Sequence, residues 1–298
     1  MRALVTGANG FIGRFVCERL QQAGHIVRGS VRTASAGGFP HDELHVSGDL
    51  DEQTSWEVAL DGVDAIFHIA GLAHLPAPTD EQRARIIAVN RGGTESLARA
   101  VANAPRVRRL VFLSTAKVSV EPEDEYARSK REAEQALHRE LDAARFTIVR
   151  TPLVYGPGVR ANFLSLLKKA GWPLPLGAVR NARSLIFVRN LADALVWLSA
   201  NDAAAGQTFF VSDFDDVSTP ELIRRIAHAR GKSARLLPVP PALLRLGASA
   251  LGKGAALEKA IGSLRVDVEP LRALGWRPSF TMEQGLAETA RWLEKEQA

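Results

Sequence analysis

The chain has 298 residues, 46% of them hydrophobic and 24% charged. That is close to the globular average, which excludes a wholly disordered, collagenous or coiled-coil protein and leaves room for one large domain or two of roughly 150 residues. A single cysteine, Cys17, excludes a disulfide scaffold and a multi-cysteine metal centre, no apolar run approaches the ~18 residues of a membrane span, and the net charge of +5 leaves nucleic acid, an anionic surface or a small anionic ligand as partners.

Short apolar runs alternate with longer amphipathic ones through the first half. Strands are expected at 3–6, 25–31, 43–46, 65–69, 110–113 and 146–149, with helices at 11–23, 56–60, 81–104 and 125–141. Strand–helix–strand alternation of this kind builds a doubly wound α/β fold, a parallel sheet covered on both faces, with its ligand beyond the carboxyl ends of the strands where strand order reverses. After Arg150 the texture shifts to Pro- and Gly-rich stretches, TPLVYGPGV and AGWPLPLG. Strands at 184–188 and 207–211 are expected to return to the sheet, and helices around Glu221, Leu243 and Glu283 to form a smaller lobe. The expected division is 1–155 with parts of 183–211 for a dinucleotide-binding domain, and 156–182 with 212–298 for a substrate lobe.

Gly7, Gly10 and Gly13 follow the first strand directly in TGANGFIGRF. Gly7 permits a tight turn, Gly10 lets a pyrophosphate approach the backbone, and Gly13 lets the helix press on the strand; Asn9, Phe11 and Ile12 complete the cradle. Free N–H groups and the positive end of the helix dipole then face the phosphates. At the end of the second strand a site for NAD usually offers an acid to the ribose 2′-hydroxyl. Here the run VRGSVRT carries Arg28, Ser30 and Arg32 and no carboxylate before Asp42, which favours NADP(H), with NAD(H) the alternative.

Tyr126 and Lys130 stand four apart in EYARSKREAE, on one helical face, and Ser114 and Thr115 end the strand LVFLST at the lip of the cleft. A hydroxyl that gives or takes a proton while hydride moves at an oxygen-bearing carbon needs a pKa near neutrality. A lysine ~5 Å from a tyrosine supplies roughly 3 kcal/mol towards that shift at an effective dielectric of ~20.

On these segments, together with GDL (48–50), HIAG (68–71), VN (89–90), RTPLVYGPG (150–158), ANF (161–163), RSLIFV (183–188) and LGWRP (274–278), the sequence resembles the extended short-chain dehydrogenase/reductases, in their nucleotide-sugar epimerase/dehydratase branch. The resemblance implies that Thr115, Tyr126 and Lys130 are catalytic: Tyr126 the acid/base, Thr115 its hydroxyl partner on the substrate oxygen, Lys130 the group that holds the nicotinamide ribose and depresses the tyrosine pKa. It implies that Asp49 and Leu50 border the adenine, that Ile69, Ala70 and Gly71 pass the pyrophosphate, that Asn90 supports the lysine or cofactor, that Ser114 also lines the cofactor, and that Pro152 and Leu153 lie against the nicotinamide. It places Asn162, Arg183 and Arg265 on the diphosphate of a UDP-sugar, and implies a homodimer.

Where dehydratases of this branch resemble one another in a Thr-Asp-Glu triple, this chain reads Thr115, Ala116, Lys117, so elimination of water is disfavoured. Two reactions then remain: reduction of a preformed 4-keto sugar in surface-polysaccharide synthesis, which the arginines favour, and C4 epimerisation with retained NAD. A reductase of a non-sugar carbonyl and a non-enzymatic dinucleotide sensor are the more distant readings. Nucleic-acid binding is not expected, because aromatics are 6% and the basic residues are dispersed among 33 acids. Membrane insertion and a metal site are likewise not expected, and the one free cysteine and the lack of a secretory leader point to the cytoplasm.

Overall fold

The computed structural model describes residues 1–34, 38–72, 78–120, 124–252 and 254–297; the side chains of residues 162, 255, 256 and 259 lie outside the description. The strands are β1 (Arg2–Thr6), β2 (Ile26–Val31), β3 (Glu43–Val46), β4 (Ala65–His68), β5 (Arg109–Thr115), β6 (Phe146–Thr151), β7 (Leu153–Tyr155), β8 (Pro173–Leu174), β9 (Leu185–Phe187), β10 (Thr208–Phe210) and β11 (Arg235–Leu236). The helices are α1 (Gly13–Gln22), α2 (Glu57–Leu60), α3 (Asp80–Ile87), α4 (Gly93–Ala102), α5 (Glu125–Glu140), α6 (Ala161–Lys168), α7 (Val188–Ala200), α8 (Thr219–Ala229), α9 (Pro241–Ala250), α10 (Gly254–Ile261), α11 (Glu269–Ala273) and α12 (Met282–Gln297).

The chain divides into two units. The first comprises Met1–Thr151, Leu191–Val211 and Val268–Arg277; the second comprises Pro152–Asn190, Ser212–Asp267 and Pro278–Ala298. In the first, seven parallel strands run in the order β10-β6-β5-β4-β1-β2-β3. This is the doubly wound α/β sheet expected from the alternation, and strand order reverses between β1 and β4, which opens a crevice at their carboxyl ends. The central strands are largely apolar because helices cover them: Leu4, Ile66, Leu110, Phe112 and Phe146 pack with Trp56, Leu97, Val101 and Leu137 in one buried cluster.

Two expectations are corrected here. Of the two later strands, β10 does join the sheet, beside β6, whereas β9 pairs in parallel with β7 in a separate two-stranded sheet of the second unit. The helix expected at 81–104 is interrupted. α3 ends at Ile87, a π-helical turn occupies Ala88–Gly92, and α4 resumes at Gly93. The extra residue rotates Asn90 inward, and the Thr94 hydroxyl donates 2.6 Å to the Asn90 carbonyl within this turn. Cys17 is buried, and burial pushes its thiol up to about 12, so it is an inert core residue.

Candidate functional site

The glycine turn is built for close backbone approach. Gly7 has φ +67°, and a Cβ added to it would lie 2.9 Å from the Ala70 Cα; one added to Gly13 would lie 2.1 Å from the Gly7 carbonyl oxygen. Only glycine lets β1, its turn and the segment after β4 meet in this way. The Gly10 N–H bonds the Gly7 carbonyl at 2.9 Å, Asn9 and Gly10 are exposed, and Phe11 and Ile12 are half-buried. α1 begins at Gly13, two residues later than periodicity suggests, and its first turn contains no acid. Its positive end is therefore uncompensated, as an anion-binding turn requires. A pyrophosphate fits this cradle.

Behind it runs a hydrogen-bond relay whose directions are all determined. The Ala70 N–H donates to Thr6 Oγ1 at 3.1 Å, leaving the Thr6 hydroxyl to donate to His68 Nδ1 at 2.7 Å. Because the Thr94 hydroxyl already donates to the Asn90 carbonyl, it must accept from His68 Nε2–H, at 3.0 Å. Burial and then the Lys130 charge pull His68 down to about 3, which keeps it neutral and leaves Nδ1 as the acceptor. This core histidine ties the Ala70 backbone to the π-helical turn.

On the adenosine side, Arg28 is corrected. Its guanidinium is engaged on every nitrogen: Nε and Nη2 each donate 2.6 Å to Glu43, opposite it on β3, and Nη1 donates to the carbonyls of Val58, Ala59 and Asp61 at the end of α2. A 2′-phosphate would have to displace all of these. Ser30 is buried within β2 and its carbonyl accepts from Ala8 N–H. Arg32 is exposed and 3.8 Å from Asp49, which also accepts from Arg85 at 3.2 Å. Leu50 is buried, packed where a Cβ on Gly93 would come within 2.9 Å.

Thr115 closes β5, and its hydroxyl oxygen accepts the Lys117 N–H at 3.3 Å. Asp124 caps α5, accepting from Ala127 N–H at 2.8 Å and from Lys117 Nζ at 2.7 Å. Along α5, Tyr126, Lys130 and Glu134 recur every four residues and so share a face. Lys130 is 3% exposed, with its ammonium 4.1 Å from the centre of the Phe112 ring. A Cβ on Gly71 would lie 3.8 Å from Lys130 Nζ and 3.0 Å from Asn90 Oδ1, so Gly71, Asn90 and Lys130 meet at one point. Both Asn90 amide hydrogens are used, donating to the Leu72 carbonyl and Ser129 Oγ, and its oxygen accepts from Leu72 N–H.

Burial pulls Lys130 down to about 7 against the Glu134 carboxylate, which holds it up, while burial and Asp124 push Tyr126 up to about 12. Burial and Asp124 thus set the direction for Tyr126, opposite to the depression expected from Lys130. Ser114 also departs from expectation. Its hydroxyl is engaged, donating 2.5 Å to Glu134, whose carboxylate is also held by Arg150 at 3.1 and 2.6 Å.

In the second unit, the segment holding Arg183 lies alongside that holding Arg265: Leu264 N–H bonds the Ala182 carbonyl and Ser184 N–H the Leu264 carbonyl. Arg183 is half-buried and donates 3.2 Å to the Ala260 carbonyl, and burial disfavours its charge. Arg265 is exposed and paired with Asp216 at 2.8 Å. Asn162 lies in α6, with its side chain outside the description, and Pro152 and half-exposed Leu153 open this unit.

Residues 3–211 match the model of the NAD dependent epimerase/dehydratase family. The chain belongs to that family. It is therefore an NAD(H)-binding enzyme of the extended short-chain dehydrogenase/reductase type. It is 35% identical to a UDP-glucose 4-epimerase of Vibrio cholerae, over 97% of this chain and 94% of that one. It is 30% identical to a ceramide reductase of Caulobacter vibrioides, over 97% and 93%. Its fold is similar to that of a UDP-N-acetylglucosamine 4-epimerase from Bacillus cereus, with a TM-score of 0.78 at 19% identity over 99% of each chain.

Sequence reasoning missed one element of this family member's site, the Glu134–Arg150 pair. Its signal was present as a third member of the Tyr126–Lys130 spacing. The partner on β6 could not be read, because only the β5–β6 register, with Ser114 opposite Arg150, brings that arginine to α5.

Proposed function

We propose that the enzyme transfers hydride at C4 of a UDP-sugar, reducing a 4-keto group to the alcohol, with Tyr126 as proton donor. Residues 1–155 with parts of 183–211 hold the cofactor, and 156–182 with 212–298 form the sugar-nucleotide lobe. The Gly7–Gly13 turn and Ala70–Gly71 take the pyrophosphate, Asp49 and Leu50 the adenine, and Pro152 and Leu153 the nicotinamide; Asn162, Arg183 and Arg265 take the UDP diphosphate. The bound reduced nicotinamide supplies the hydride. As the carbonyl oxygen gains charge, Tyr126 gives it a proton and the Thr115 hydroxyl donates a hydrogen bond, so that hydride and proton together convert C=O to CH–OH. Lys130, pinned over Phe112 and beside Asn90, orients the nicotinamide ribose.

The observation that supports hydride transfer is the face of α5, where Lys130 is buried beside Asn90 and Gly71 and Tyr126 stands one helical turn away. Reduction is preferred to epimerisation because the run at the end of β2 offers Arg32 and no carboxylate to the adenosine ribose, which suits an exchangeable NADP(H) better than a retained NAD. The residues after Thr115 agree: Ala116 is apolar and Lys117 is ion-paired to Asp124, so neither supplies the acid and base of a dehydration. Arg32 supports use of NADP(H), now without Arg28. Epimerisation at C4 is the second reading, favoured by the full-length likeness to the Vibrio cholerae enzyme. We place the enzyme in the cytoplasm as a homodimer serving surface-polysaccharide synthesis.

Incubation with a UDP-4-keto-6-deoxy sugar and NADPH or NADH is expected to consume the reduced cofactor. Tyr126→Phe is expected to abolish nearly all turnover while still binding cofactor. Interconversion of UDP-glucose and UDP-galactose without net cofactor consumption, and no turnover of the keto sugar, would replace reduction by epimerisation.

A further inference from the structure

The basic charge that the cofactor and diphosphate leave unexplained is concentrated in the second unit. Residues 157–192 and 222–257 together hold thirteen Lys and Arg and no Asp or Glu, in a chain whose totals are 38 and 33; Arg183 belongs to the diphosphate site, and Arg189, Arg224, Arg225 and Arg245 are ion-paired to acids outside these stretches. The rest of the molecule is therefore net negative. Within these same two stretches lies much of the exposed apolar surface. α9 has no buried residue: Leu243 is 59% and Leu246 70% exposed, and Leu251, just past its end, is 72% exposed. At helical spacing Pro241, Leu244 and Ala248 form the half-buried side, while Leu243, Leu246 and Ala250 form an exposed apolar ridge. Leu237, four residues before α9, is 52% exposed and tied by its N–H to the Leu174 carbonyl; Trp172, immediately before β8, is 65% exposed. Around β8 and β11 stand the exposed cations Lys168, Lys169, Lys232 and Arg235.

We propose that this surface of the second unit, centred on α9 and the β8–β11 pair, docks on an anionic phospholipid bilayer. The chemistry of both halves fits that occupant. Leucines on one helix face bury shallowly at the headgroup–acyl boundary, a tryptophan favours the same depth, and lysines and arginines beside them meet lipid phosphates. Nucleic acid would use the cations but has no use for the leucine ridge, and a second copy of the chain would bring the same excess of positive charge against itself. Among the described residues no helix is long and apolar enough to cross a membrane, so the contact is peripheral.

Cosedimentation of the full chain with vesicles of phosphatidylglycerol and phosphatidylcholine tests this. The protein is expected to pellet with these vesicles, to do so much less with phosphatidylcholine alone, and to be released by raised salt. The double variant Leu243→Ser/Leu246→Ser, at exposed positions outside the cofactor and sugar sites, is expected to bind at least about tenfold more weakly with reductase or epimerase turnover of soluble substrate unchanged. The proposal is overturned if the wild type ignores anionic vesicles, if the variant binds them equally, or if the variant changes only the oligomeric state in light scattering, which would make the ridge a contact between copies. A failure of C4 chemistry would leave the vesicle result intact, because the binding readout needs no turnover.

Discussion

The Ser114–Glu134–Arg150 cluster should couple strongly, and its strength can be worked from its geometry. The Glu134 side chain is 6% exposed and accepts at 2.5 Å from Ser114 and at 3.1 and 2.6 Å from Arg150. Glu134→Gln keeps the shape and removes the charge. Breaking a buried ion pair costs about 3–5 kcal/mol, but the Arg150 side chain is 25% exposed and water can resolvate it, which brings the expected loss to about 2–3 kcal/mol. For a chain of this size that is a fall in Tm of roughly 3–5 °C. Arg150→Met alone should cost at least as much, because it leaves a carboxylate buried beside Ser114 without its cation. The double variant should lose clearly less than the sum, with a coupling of about 1–3 kcal/mol in the four-protein cycle of thermal melts. Additive losses, with coupling within about 0.5 kcal/mol, would refute the reasoning that this pair is a single buried unit.

Gly7→Ala should abolish dinucleotide binding in titration calorimetry and destabilise the fold by more than about 1 kcal/mol, since φ is +67° and the new Cβ would strike the Ala70 backbone. Arg32→Ala should raise the KM for NADPH relative to NADH, whereas Arg28→Met should leave that ratio unchanged and lower Tm, because Arg28 joins β2 to β3 and α2. Lys130 binds its proton less tightly in the folded state than in the unfolded one. Between about pH 7 and the ordinary lysine pKa of 10.5 the unfolded chain therefore holds more protons, and stability should rise with pH across that window. Lys130→Met should flatten the rise in a series of melts; an unchanged slope would show that Lys130 is not its source. Tyr126 has the opposite sign, so stability should fall from its ordinary pKa of 10 towards 12.

The alternation of apolar runs was enough to read the parallel sheet, because a strand buried on both faces needs an unbroken apolar segment whatever its neighbours are. The glycine turn was legible for a similar reason: a positive φ and a helix start are backbone properties confined to a few consecutive residues. Helical spacing put Tyr126 and Lys130 on one face, and the glycine turn and Ser114–Thr115 beside them gave that pair its meaning. The same reasoning failed where the partner lay far along the chain. Arg28 looked available to a phosphate because nothing near it in sequence claims it, yet β2–β3 pairing sets Glu43 directly across. Ser114 looked like part of the cleft until α5 brought Glu134 against it, and the helix across 81–104 read as continuous because a π-helical turn leaves the apolar pattern nearly intact while turning Asn90 inward.

The sequence by itself determined the fold class, the phosphate-binding turn, the hydroxyl and lysine of the site, and an excess of positive charge. Tertiary structure decided which of those groups are engaged and which are free, which way Tyr126 and Lys130 shift, and where the unclaimed charge collects. The physical reason is range. Backbone conformation and helical periodicity are written in windows of a few residues, whereas a side chain's partners and its desolvation depend on strand register and packing between segments tens to hundreds of residues apart.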